Sequence, residues 1–86
     1  MSVSNLGDLL AKSREERTSS ETLYSEIVDL LTESLKDEEA EVRAASAKSL
    51  GLLRDKKSIP ALKEALKDEE AEVRAAVVEA LGRFAA

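Results

Sequence analysis

The stretch LKDEEAEVRAA stands at residues 35–45 and again, unchanged, at residues 66–76. Eleven residues therefore recur with a shift of 31 positions. The register holds beyond the identical run: Leu31 matches Leu62, Glu33 matches Glu64, Leu50 matches Leu81, and Gly51 matches Gly82. Self-similarity at a period of this length marks a repeat architecture. Each unit is too small to bury its apolar face alone and does so by stacking on a neighbour.

The flanking apolar spacing says what the unit is. Leu23, Ile27, Leu30, Leu31 and Leu35 follow steps of four, three, one and four, one face of a helix. Val42, Ser46, Ser49, Leu50 and Leu53 form a second stripe, and RDKKS interrupts it. Ser58 is placed to cap a third helix, with Pro60 in a first turn where its missing N–H is not needed. Leu62 and Leu66 carry that helix; Val73, Val77, Ala80, Leu81 and Phe84 then repeat the second stripe. The first 20 residues do not repeat, but Leu6, Leu9 and Leu10 share one side of a short helix, followed by the polar hinge RTSSE. The pattern predicts helices over 4–16, 21–36, 39–53, 58–67 and 70–84. The expected fold is all-α, a short solenoid of helical hairpins with about five helices. Its parts are an N-terminal helix and hinge over 1–20, a first repeat over 21–55 and a second over 56–86.

Composition narrows the chemistry. The 86 residues contain no Cys and no His, which removes disulfides, thiolate and imidazole metal sites, and the usual imidazole bases. A net charge of −5 argues against a phosphate-binding face, and Tyr24 and Phe84 are the only aromatics available for base stacking. No apolar run approaches the ~20 residues that cross a bilayer. The N-terminus MSVSNLGDLL lacks the pattern of a secretory signal, and Ser2 excludes myristoylation. No nucleic acid, membrane or cofactor is expected, and the setting fits the cytoplasm.

LKDEEAEVRAASAKSLG and ALKEALKDEEAEVRAAVVEALGRF resemble HEAT repeats of the short phycobilin-lyase type, and the idealised artificial scaffolds built from it. The resemblance rests on the Leu–Lys–Asp turn, the Val–Arg pair, the small residues after it and the Leu–Gly near the end of the second helix. It covers about residues 23–86. It implies an α-solenoid whose second helices line an inner surface used for protein recognition.

Four groups of residues invite a functional reading. The acidic runs Asp37, Glu38, Glu39, Glu41 and Asp68, Glu69, Glu70, Glu72 suggest a metal site, but they lack the alternation and the glycine of a calcium loop. Asp37 and Asp68 are better read as caps for the second helices, with the glutamates at the positive end of the helix dipole. Asp37, Arg43, Asp68 and Arg74 form a structural ladder between repeats, as the resemblance implies; an anion site on the two arginines is disfavoured by the surrounding carboxylates. Gly51 and Gly82 sit inside helices at a cost of ~1 kcal/mol relative to Ala, which calls for close approach of a neighbouring helix. Ala44, Ala45, Lys48 and Leu52, with Ala75, Ala76, Glu79 and Arg83 in the copy, match inner-surface positions of similar repeats. They are read as a partner-binding strip, against the alternative of a solvated face of good helix formers.

The leading function is a non-enzymatic protein–protein interaction or scaffold module with a protein partner. The alternative is an accessory subunit or fragment of a bilin lyase-like or other repeat-containing enzyme. A tetrapyrrole pocket is not expected from two repeats with so few aromatics. Deoxyhypusine hydroxylase, which has similar repeats, holds iron through His–Glu motifs that a chain without His cannot supply. The last helix carries Val77, Val78, Leu81 and Phe84 with no capping helix after it, so a homodimer is expected. Its contact is either the C-terminal end, with Phe84, or an exchange of residues 1–20.

Overall fold

The structure, a computed structural model, describes residues 20–85. Four α-helices occur in that span: α1 (Ser20–Ser34), α2 (Ala40–Leu53), α3 (Ile59–Ala65) and α4 (Ala71–Ala85). A 3-10 turn (Lys56–Ser58) precedes α3. Among the described residues there is no strand. The helices fall within a few residues of the expected spans; the one expected over 4–16 lies outside the described residues.

The duplicated sequence folds into the same turn twice. In the first copy the Lys36 and Asp37 N–H groups donate to the carbonyls of Glu33 and Ser34 at 3.0 and 3.1 Å. The Asp37 carboxylate then accepts the Glu39 N–H at 2.9 Å. In the second copy Lys67 and Asp68 donate to Glu64 and Ala65 at 3.1 Å each, and the Asp68 carboxylate accepts the Glu70 N–H at 2.9 Å. Each Asp thus closes an Asx turn before the helix starts. This corrects the expected capping role: α2 starts after Glu39, whose side chain makes no capping bond. Ser58 departs similarly. Its hydroxyl is buried and donates back to the Asp55 carbonyl at 2.7 Å, while the Asp55 carboxylate accepts the Lys57 N–H.

α2 and α4 pack most extensively on each other, and α1 and α3 flank them. The core is Val28, Leu35, Leu50, Leu62, Val73 and Val77, interleaved with Ala44, Ala47, Ala76 and Ala80. The small residues let α2 and α4 approach closely. A Cβ on Gly51 would lie 2.7 Å from the Ala80 Cα. Gly82 does not share this reason: a Cβ there would meet nothing within 4 Å.

The buried face of α1 differs from the expected stripe. Val28 is buried, and Tyr24 and Leu31 pack half-buried on the core, a spacing of four and three. Leu23, Ile27 and Leu30 are exposed instead. α1 carries apolar side chains on a wide arc, and α2 covers only one side of it. Tyr24 supplies the deciding contact: its hydroxyl donates to the Leu53 carbonyl at 2.7 Å, satisfying one of the free acceptors at the end of α2. Arg54 ends that helix in the left-handed region at φ 56°, with its N–H on the Leu50 carbonyl.

Candidate functional site

The junction between repeats is closed by Arg43 and Asp68. The Arg43 Nε–H donates to Asp68 Oδ2 at 2.7 Å and its Nη2–H to Asp68 Oδ1 at 3.1 Å, a two-pronged match of planar fork and carboxylate. The Arg43 Nη1–H reaches the carbonyls of Asp37 and Glu38 at 2.7 and 3.0 Å. Both side chains retain only 11–12% of their exposure. The hydrogen bond from Arg43, followed by the Glu70 N–H, holds the Asp68 carboxyl below its usual range. The same bond raises the Arg43 guanidinium.

One rung of the expected ladder is therefore formed. Arg74 donates to the Asp68 carbonyl at 2.5 Å, as Arg43 does to Asp37, but no carboxylate meets it among the described residues. The Asp37 carboxylate likewise accepts no arginine among them.

The rung predicts coupling. Arg43→Ala and Asp68→Ala should each lower the melting temperature, and the double variant should lose less than the sum of the two. Strict additivity would count against the bridge. The linkage has a definite sign. Because the Asp68 carboxyl is depressed in the folded state, its contribution is present above the unfolded value of about 3.9 and is lost as pH falls through the folded value. The stability gap between wild type and Asp68→Asn should close as acid unfolding proceeds below about pH 4.

The expected partner strip is shorter than the sequence suggested. Lys48 and Leu52 from α2 converge with Glu79 and Arg83 from α4 around a shallow depression of about 180 Å³, floored by Ala80. Leu52 is 64% exposed. The four alanines do not belong with them. Adjacent helical residues point ~100° apart, so one of each Ala–Ala pair enters the core: Ala44 and Ala76 are buried at the repeat junction, which removes them from an exposed strip. Ala45 and Ala75 are exposed, but they stand at the register positions of Ala76 and Ala44, on the two ends of the stack.

Phe84 is also placed differently. It is half-buried against its own core, as is Leu81, and Val77 is fully buried. Only Val78 of that group is substantially exposed, at 59%. Leu66, expected with Leu62 on the packing face of the third helix, is exposed at the end of α3 instead. The repeat itself explains the difference, since its partner Leu35 is buried and has a neighbouring repeat to bury it.

A larger concavity of about 860 Å³ lies on the other side of the junction, between the ends of α1 and α3. Glu33, Lys36, Glu64, Lys67 and Glu69 contribute to its rim. Mixed charges surround an Arg–Asp pair already satisfied by each other, and the apolar lining from Leu35, Ala61 and Ala65 lies open to solvent rather than enclosing a ligand. Among the described residues no group of His, Cys, Asp and Glu is placed to hold a metal ion, and no helix is long and apolar enough to cross a membrane.

No curated protein and no solved structure matches the chain. A family model described as HEAT repeats matches residues 28–86, which takes in α2, α3, α4, both copies of the duplicated turn and the Arg43–Asp68 junction. The paired-helix stack and its 31-residue register agree with that match, and the chain belongs to the HEAT repeat family.

Proposed function

We propose that the chain is a cytoplasmic, non-enzymatic protein-interaction or scaffold module of the short phycobilin-lyase-like HEAT type, and that Lys48, Leu52, Glu79 and Arg83 bind its protein partner. The observation that carries this reading is Leu52. A large apolar side chain stands exposed on a rigid helix, beside a depression shared by both repeats, ringed by two cations and one carboxylate. An apolar centre within a charged rim is the anatomy of a protein contact. Secondary structure rather than loops presents all four residues, so the surface is pre-organised and little ordering is needed on binding. The HEAT assignment supports the same class, since such repeats commonly serve as interaction or scaffold modules.

The role of an enzyme subunit draws less support. The depression at Leu52 is too small for a pigment, and the larger concavity has a charged rim.

A photo-crosslinking residue at position 52 tests the reading. It should trap a discrete partner from the native source, while the same residue at Glu33, on the far side of the stack, should not. Leu52→Asp should abolish co-purification of that partner with the helical spectrum unchanged. Equal capture from both positions would defeat the assignment.

A further inference from the structure

The two ends of the described stack are the two halves of its own internal junction. The 31-residue register makes the comparison residue by residue. On the downstream side of the first repeat, Leu35, Ala44, Ala47 and Gly51 are buried, and Arg43 holds Asp68. Their partners on the second repeat are Leu66, Ala75, Val78, Gly82 and Arg74, and all are exposed. On the upstream side of the second repeat, Ser58, Ala76 and Ala80 are buried, and Ala61 packs on the core. Their partners on the first repeat are Ile27, Ala45, Ser49 and Leu30. Ile27, Leu30 and Ala45 are exposed, and Ser49 is half-buried.

Charge follows the same division. Arg74 stands at the downstream end without a carboxylate among the described residues, and the Asp37 carboxylate stands at the upstream end without an arginine among them. They occupy the register positions of Arg43 and Asp68, within identical eleven-residue segments folded into the same turn. Gly82 completes the match. Its counterpart Gly51 receives Ala80 at a distance that leaves no room for a Cβ, whereas Gly82 faces open space.

We propose that copies of this chain associate head to tail, the downstream face of one (Leu66, Arg74, Val78, Gly82) docking on the upstream face of the next (Ile27, Leu30, Asp37, Ala45), with Arg74 and Asp37 forming the intermolecular equivalent of the Arg43–Asp68 bridge. A second copy is the occupant because one chain supplies both complementary halves, in charge and in register. The contact is heterologous, so each added copy leaves the same two faces open and growth continues past a dimer unless the rotation closes a ring. The surface is separate from Leu52 and its neighbours, and the proposal does not depend on the partner assigned to them.

Sedimentation equilibrium of the 86-residue chain from micromolar to millimolar concentration tests it. The average mass should rise with concentration and pass that of a dimer. A strictly monomeric chain over the whole range, as when residues 1–19 cover the upstream face of their own copy, overturns the proposal. Arg74→Glu and Asp37→Arg should each weaken association by about thirtyfold or more, because each sets like charges face to face. An equimolar mixture of the two should recover the wild-type affinity. The introduced carboxylate of one chain then meets the introduced guanidinium of the other, and the next contact along pairs the native Arg74 with the native Asp37.

Loss of association in Arg74→Glu alone, with Asp37→Arg unaffected, would indicate a two-fold contact through the downstream face and overturn the head-to-tail geometry. Failure of the mixture to recover does the same. Two further variants guard against effects on folding. Gly82→Trp fills the open socket and should leave a folded monomer. Asp37→Asn keeps an acceptor for the Glu39 N–H and should associate more weakly with unchanged helicity. Undiminished association in both would place the contact elsewhere and end the proposal.

Discussion

Leu62→Ala should lower the unfolding free energy by about 2–5 kcal/mol, the cost of emptying a fully buried leucine site that cannot collapse. Leu62 has no exposed surface and is the one buried residue of α3. That helix has seven residues, far below the length at which a helix persists in water without tertiary contacts. Its place against α4 therefore depends on Leu62, with Ala61 and Ala65 as half-buried neighbours. A chain of 86 residues has a total stability of about 4–13 kcal/mol, so the variant loses a large fraction of it. The melting temperature should fall by roughly 10 °C or more. Amide exchange in α3 should accelerate before that of α2 and α4. Leu31→Ala, at the equivalent position of the first repeat, should cost less, because Leu31 is only half-buried in a helix twice as long. Chemical denaturation of the two variants decides it, and equal losses would falsify the packing account.

The repeat made most of this fold legible. A period of 31 with unchanged residues at the turn dictates that both turns form alike, and they do so nearly bond for bond. The Arg43–Asp68 pair was legible only through the resemblance to similar repeats, which implied a ladder of Asp and Arg side chains; the period by itself does not pair residues 25 apart. Orientation about each helix axis was less accessible. In α1 the apolar arc of Tyr24, Ile27, Val28, Leu30 and Leu31 is wider than any one neighbour, and helical periodicity alone does not say which side is covered. Tyr24 decides it through its bond to the Leu53 carbonyl, a contact 29 residues away that no local pattern encodes. The Ala–Ala pairs fail for a related reason. Alanine is compatible with a core and with an exposed face, so Ala44 and Ala75 read alike while one is buried and the other is not. Even a perfect repeat does not repeat its environment, because each copy has its neighbour on a different side.

The glycine pair isolates that difference. Gly51→Ala should destabilise the fold by about 1–2 kcal/mol, and Gly82→Ala should stabilise it by up to about 1 kcal/mol, although the two residues are register partners. At position 51 the new methyl would stand 2.7 Å from the Ala80 Cα and 2.9 Å from its Cβ. The obstacle is backbone, so α2 and α4 must move apart and disturb the packing of Ala44, Ala47 and Ala76 beside it. Overpacking of this kind costs about 1–3 kcal/mol, and the improved helix propensity of alanine returns at most about 1 kcal/mol. At position 82 the methyl meets nothing within 4 Å, so the propensity gain is not opposed. The comparison is made by urea denaturation at low micromolar concentration, where self-association does not contribute to stability. At concentrations that support stacking, Gly82→Ala should also reduce the average mass, because its added methyl narrows the socket that Gly51 offers Ala80 inside the chain. A change of the same sign at both positions would mean that propensity alone governs these sites and that close approach at Gly51 carries no energetic weight.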